Sequence, residues 1–225
     1  GVFNDPKMSI RVGEKRTVDL FEGYQKYREK ILYNRKAGIK NEIVSTKTVQ
    51  GTWLNLPYQD VRNKYMNPFH VDCTAPAFWK QKIKEYSEIG LEYLVIMAVA
   101  NERQAYYPSS FMKHAYPSNR QSPVEAIMEA ADQYGMKVFM SCGWAVNQDD
   151  NIREPAIKEL QQKIMKETAD LFKEHKSFYG WYLPVEDMIA PYLSDYAIEA
   201  VNTLAESARN LTPQAQIMIS PYGLY

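Results

Sequence analysis

An excess of charge of either sign is the first thing this 225-residue chain lacks, because 27 basic side chains are balanced by 27 acidic ones. Without a basic field, nucleic acid and anionic membrane are poor partners. Cysteine is scarce as well. Cys73 and Cys142 fit neither a disulfide framework nor a zinc site, and Cys142 falls in an apolar stretch. No apolar run approaches the roughly 20 residues that span a bilayer, so no membrane-spanning segment is expected. CxxC, Walker A and GxGxxG motifs are all missing, and no cofactor is expected. Of the three histidines, His70 and His114 lie in loops without partners at metal-ligand spacing. His175 sits at a helix end, where a cation is favoured, so no metal is expected either. The chain starts at Gly1 without a signal peptide, which reads as a processed or engineered form.

Aromatic residues are abundant: 17 Tyr, 4 Trp and 8 Phe make 13 % of the chain. Tyr and Trp offer flat apolar faces with a polar edge, which suit sugar rings as well as cores. Residues 1–47 are irregular, with Val18, Leu20, Phe21, Tyr24, Tyr27, Ile31 and Leu32 at helical spacing. They predict a helix near 18–35 in an N-terminal helical extension. From residue 48 to 225 a unit of about 40 residues recurs, which is the length of a strand, loop and crossover helix.

Strands are expected at 51–56, 92–99, 137–142, 178–183 and 216–220, with long loops at 57–72 and 101–121. Thr74 is placed to cap a helix that buries Phe78, Trp79, Ile83, Tyr86 and Ile89, with Gly90 ending it. Ser122-Pro123-Val124-Glu125 is a capping box, and Gly135 closes that helix. Asp149, Asp150 or Asn151 starts the next, buried through Ile157, Leu160, Ile164, Leu171 and Phe172. A last helix near Ser194–Asn210 buries Ile198, Val201, Leu204 and Ala208. Every connection is a crossover, so the sheet must be parallel. Five strands fit an open doubly wound sheet, but long loops after successive strands favour a TIM (β/α)8-type barrel. Strands one to five are present and the last three are not, an incomplete barrel.

Tyr106-Tyr107-Pro108-Ser109, Ala130-Ala131-Asp132-Gln133-Tyr134-Gly135-Met136-Lys137-Val138, Gly180-Trp181-Tyr182-Leu183-Pro184 with Glu186, and Ile219-Ser220-Pro221-Tyr222 occur in this order after Gly51-Thr52-Trp53-Leu54. Together they resemble an uncharacterised bacterial TIM-barrel family assigned to the glycoside hydrolases, over roughly residues 50–225. The resemblance implies a carbohydrate ligand and export to the periplasm or cell surface. The family has acidic residues after its Gly-Trp-Tyr-x-Pro run. Here Val185 follows Pro184, and Glu186 is the carry-over.

Glu186 and Asp187 come where an apolar strand stops, the edge at which parallel α/β folds place their chemistry. Their structural reading is a capped turn and a solvated loop. Glycoside hydrolysis needs one carboxylic acid to protonate the leaving oxygen and a second carboxylate as nucleophile or base. Glu186 is the expected general acid. Glu102 is the best second carboxylate inside the chain, although a loop ion pair with Arg103 or Lys113 would also account for it. Asn55, Glu102, Tyr106, Trp144, Tyr182 and Tyr222 stand at or just past strand ends and are the expected sugar contacts. Asn147, Asp149, Asp150 and Asn151 could form an oxygen cluster for calcium, or cap a helix. The competing function is a non-catalytic carbohydrate-binding barrel.

Overall fold

The computed structural model describes residues 49–56, 72–146, 150–187 and 192–221. All of them belong to the unit Val49–Tyr225. The helix expected at 18–35 and most of the 57–72 loop lie outside the described residues, as do Asn147, Asp149 and Tyr222.

The elements run β1 (Gly51–Leu54), α1 (Pro76–Glu88), β2 (Tyr93–Ile96), β3 (Ala100–Asn101), β4 (Gln104–Ala105), β5 (Lys113–His114), α2 (Pro123–Tyr134), β6 (Lys137–Met140), α3 (Pro155–Phe172), β7 (Phe178–Leu183), α4 (Asp195–Leu211) and β8 (Gln216–Ile219). Five of the strands form one sheet in the order β1-β2-β6-β7-β8, with every neighbouring pair parallel. The spatial order is the sequence order. A doubly wound sheet reverses direction at a switch point, and this one does not. With crossovers of one hand, all the helices cover one face, as in the wall of a barrel. The sheet is not closed among the described residues.

Its two faces differ accordingly. Toward the helices, Leu54, Leu94, Ile96, Val138, Met140, Trp181 and Leu183 join Ile83, Ile127, Ile164, Phe172 and Leu204 in the main core. The other face carries a smaller cluster of Val95, Phe139 and Tyr182, with Tyr93, Tyr179 and Met218 packed on it. There the Trp53 and Tyr182 rings meet edge to face, with centroids 4.7 Å apart. Their strands are three apart in the sheet, roughly 14 Å if it were flat. The contact therefore requires the sheet to curl with this aromatic face inside.

One irregularity serves the curl. Val138 pairs with Phe178 but Phe139 pairs with Gly180, so Tyr179 is an extra residue in β7. Bulges of this kind bend and twist a strand. Gly180 is needed next to it, because a Cβ there would lie 2.3 Å from the Gln216 carbonyl oxygen.

Local signals are obeyed where they act over one turn. Ser122 accepts from the Glu125 amide while the Glu125 side chain accepts from the Ser122 amide, and Gly135 ends α2 at φ 67°. Ser194 caps α4. Other expectations need correction. Thr74 does not cap α1; Ala75 holds that position, and the Thr74 hydroxyl bonds to Asp72. The next helix starts at Pro155, with Glu154 as its N-cap. Asp150 and Asn151 instead bond Val146 and Arg153 amides within the preceding loop. Ile89, Leu171 and Ile198 are exposed, at 67 %, 42 % and 47 %. The inward stripe of α3 is Gln161, Ile164, Met165, Thr168, Ala169 and Phe172. Leu171 is one residue off that stripe, a rotation of about 100°. The loop expected at 101–121 contains β4 and β5, which with β3 form a second small sheet.

Candidate functional site

Pro184 ends the β7 ladder, since it has no amide proton to donate. A tight turn follows, in which the Val185 amide donates to Leu183 O at 2.8 Å. That turn delivers Glu186 and Asp187 to the carboxyl end of the sheet. Asp187 Oδ2 accepts from the Ser194 amide at 3.1 Å, and Ser194 Oγ accepts from the Ala197 amide. Carboxylates and a helix N-terminus thus meet, an arrangement the helix dipole favours.

From β6 the chain passes through Gly143 at φ 71°, where a Cβ would lie 2.5 Å from Ala100 O. Only glycine lets Trp144 emerge beside β3, where it bridges to Asn101. The indole Nε1 of Trp144 donates to Pro184 O at 3.1 Å, tying the exits of β6 and β7 together. After that exit the loop is braced from within. The Val146 amide donates to Asp150 Oδ2, the Tyr196 hydroxyl donates to Asp150 O, and the Ile152 amide donates to that same hydroxyl.

These pieces enclose a cavity of about 340 Å³, within the usual range for small-molecule sites, about 300–1,000 Å³. Trp144, Pro184, Val185, Glu186 and Asp187 form its sheet-end wall, and Asp150, Ile152, Gln161, Ser194, Tyr196, Ala200 and Leu204 the rest. Of the residues expected at the site, Glu186 and Trp144 are brought together here.

The others are placed elsewhere. Tyr182 is 1 % exposed and packs under Trp53 on the inner face. Asn55 follows β1, and neither it nor Tyr106 lines the cavity. Burial, with smaller contributions from Cys73 and Glu102, pushes the Tyr106 hydroxyl up to about 12. Glu102 is exposed in the β3–β4 turn, where it and Arg103 both adopt positive φ, 48° and 59°. That turn is fastened to the exit of β6 by the Arg103 amide, which donates to Ala145 O at 2.8 Å. Burial also pushes the Cys142 thiol up to about 12, which favours its protonated form.

Asp150, Gln161 and Tyr196 line the cavity as well; Asp150 was expected only in a calcium cluster or as a helix cap, and Gln161 and Tyr196 were not expected at a site. Gln161 could have been found from spacing, as a polar residue on the buried stripe of α3. Tyr196, 46 residues from Asp150 in sequence, carried no such signal. Among the described residues, no cluster of three or more His, Cys, Asp or Glu side chains is placed to hold a metal. No helix among them is long and apolar enough to cross a membrane.

No match is found among curated proteins. Among solved structures, the chain is similar to a Bacteroides thetaiotaomicron protein named as a candidate α-L-fucosidase. The identity is 18 % and the TM-score 0.60, over 81 % of this chain and 56 % of that one. A candidate α-L-fucosidase of Bacteroides ovatus matches at 16 % identity and TM-score 0.50, over 76 % and 30 %. A glycoside hydrolase family 5 protein of Bacteroides vulgatus matches at 14 % and 0.48, over 67 % and 33 %. The chain thus spans little more than half of the first and about a third of the others, and the first two similarities establish a shared α/β fold. Over residues 49–224 the sequence matches DUF4434, a domain of unknown function, and the chain belongs to that family.

Proposed function

We propose that this domain carries a glycoside hydrolase site acting on a poly- or oligosaccharide, with Glu186 as its general acid. The observation that carries the reading is the convergence of Glu186 and Trp144 on one cavity at the carboxyl ends of two adjacent parallel strands. Support comes also from the fold shared with a protein named as a candidate α-L-fucosidase. The chemistry needs a second carboxylate. Asp150 takes that role here in preference to Glu102, because it lines the same cavity and its Oδ2 is oriented by the Val146 amide. In this scheme Glu186 gives its proton to the glycosidic oxygen as the bond to the anomeric carbon breaks. Asp150 supports the developing oxocarbenium ion as nucleophile or base, and Trp144 offers an apolar face to the ring.

Glu186→Gln keeps the shape and removes the acid. Turnover on natural glycans should fall by about 10²–10⁴-fold, the usual contribution of general acid catalysis. Aryl glycosides with good leaving groups need little protonation and should lose less in the glycosylation step. Equal losses on both substrate types would remove Glu186 from the acid role. Glycan binding without any hydrolysis by the unaltered protein would assign the alternative, a non-catalytic carbohydrate-binding barrel.

A further inference from the structure

The turn between β3 and β4 is built from residues that its geometry does not favour. Asn101 faces Gln104 across an antiparallel pair, so Glu102 and Arg103 are the whole of a two-residue hairpin loop. Both take positive φ, 48° and 59°. Hairpins of this form select Asn-Gly, Asp-Gly or Gly-Gly, because a side chain in that region crowds its own backbone. Such strain persists where the surroundings over-determine it, and it collects at functional sites.

The surroundings here are those of the candidate site. The Arg103 amide donates to Ala145 O at 2.8 Å, and Asn101 bridges to Trp144, which lines the cavity. Glycine at 103 would donate the same amide bond without strain, so the anchor does not call for an arginine side chain. Ion pairing does not call for it either. Arg103 is exposed and belongs to none of the ion pairs among the described residues. Arg120, by contrast, is paired with Asp72, and Arg153 with Glu199. Glu102 is not the partner of Arg103, and its charge bears on Tyr106. Lys113, exposed and opposite Gln104 in the β4–β5 register, is a second cation outside every one of those pairs. In the cavity, Asp187 is held by the Ser194 amide and Asp150 by the Val146 amide. The hairpin thus keeps, next to the residues that carry Trp144, a strained position whose guanidinium bonds to nothing else among the described residues.

We propose that Arg103 is a specificity-determining contact that holds a carboxylate or sulfate group of the glycan bound at Trp144; this rests on the cavity being a glycan site. A guanidinium presents its donors in a planar fork that meets either oxyanion through two parallel bonds. Lys113 adds positive charge beside it without a fork. The shared requirement is an anionic substituent, which uronic acids carry as a carboxylate and sulfated sugars as an ester.

The test is calorimetric titration with four probes: a galacturonate tetramer, its methyl ester, a sulfated galactan tetramer and its desulfated form. At least one anionic probe should bind about tenfold or more tighter than its own neutral form, the effect expected of hydrogen bonds to a charged group. The pair that shows the preference identifies the group as carboxylate or sulfate. That preference should shrink as salt is raised. Arg103→Gly should abolish most of it and leave the neutral forms bound as before. The same variant should not lower the melting temperature, because glycine accepts the left-handed turn. Arg103→Lys, which keeps the charge and loses the fork, should retain part of the preference. Equal affinity within both pairs of probes, or an undiminished preference in Arg103→Gly, would overturn the proposal. So would a lower melting temperature in Arg103→Gly with equal losses on charged and neutral probes, the mark of a structural role. Glu186-dependent cleavage of neutral glycans with no anion preference would sink this inference alone. Arg103-dependent, anion-selective binding without cleavage of any glycan would sink the hydrolase reading alone.

Discussion

Gly180→Ala tests the geometry that curls the sheet. The added methyl would lie 2.3 Å from the Gln216 carbonyl oxygen, 2.9 Å from its carbon and 3.0 Å from Phe139 Cε1. Ordinary contact begins at 3.4 Å, so the β8 backbone must withdraw by the difference, about 1 Å. Backbone cannot rotate away as a side-chain tip can, and β7–β8 hydrogen bonds lengthen with the shift. Overpacking of this kind costs about 1–3 kcal/mol. Opposing it, alanine restricts the unfolded chain and returns about 0.4–1 kcal/mol. The clash wins, for a net loss of about 1 kcal/mol. For a domain of this size that corresponds to a fall in melting temperature of about 2–4 °C. Gly135→Ala is the control, at φ 67° with nothing within 4 Å of the added methyl. It carries only the left-handed backbone cost of about 1–2 kcal/mol, less the same unfolded-state gain. Circular-dichroism melts and urea titrations of the two variants measure the difference. A Gly180→Ala protein as stable as the unaltered one, or less perturbed than Gly135→Ala, would refute the close approach of β7 and β8.

Two further expectations concern other parts of the fold. The Trp53–Tyr182 contact should appear in a double-mutant cycle with leucine at each position as a coupling of about 0.5–1.5 kcal/mol; zero coupling would mean that the sheet does not curl far enough to bring the rings together. Burial raises the Asp132 pKa, but bonds from the Ser177 amide and hydroxyl and from His175 outweigh it and hold the group below its usual 3.8. A depressed carboxylate contributes stability that is present above its unfolded value and lost as pH falls through the folded one. Asp132→Asn should therefore be less stable at neutral pH and lose less on acidification, read as urea midpoints from neutral pH down to below 3.8.

Strand runs, glycine stops and the Ser122 capping box were legible because each depends on residues within one turn or one strand. Tyr179 to Leu183 reads as a strand covered on both faces, and Leu183 and Tyr182 pack on opposite sides as such a strand requires. The alternation of strands and helices made a parallel sheet unavoidable. The choice between a doubly wound sheet and one laid out in sequence order rested on the long loops after successive strands alone, since both orders use the same elements and differ only in where each strand docks; the sheet keeps the sequence order expected of a barrel wall. Helix faces were legible to within one residue, which is why Leu171 was expected inside although the stripe through Gln161 is the one that packs. The site shows the same division. Glu186 and Trp144 could be anticipated from their positions just past strand ends. Their meeting with Gln161 and Tyr196 could not, because it depends on two loops and two helices converging across more than forty residues of chain. The sequence alone determined which residues stand at strand ends; tertiary packing decided which of them share a cavity, because that choice is made by curl and docking and not by local propensity.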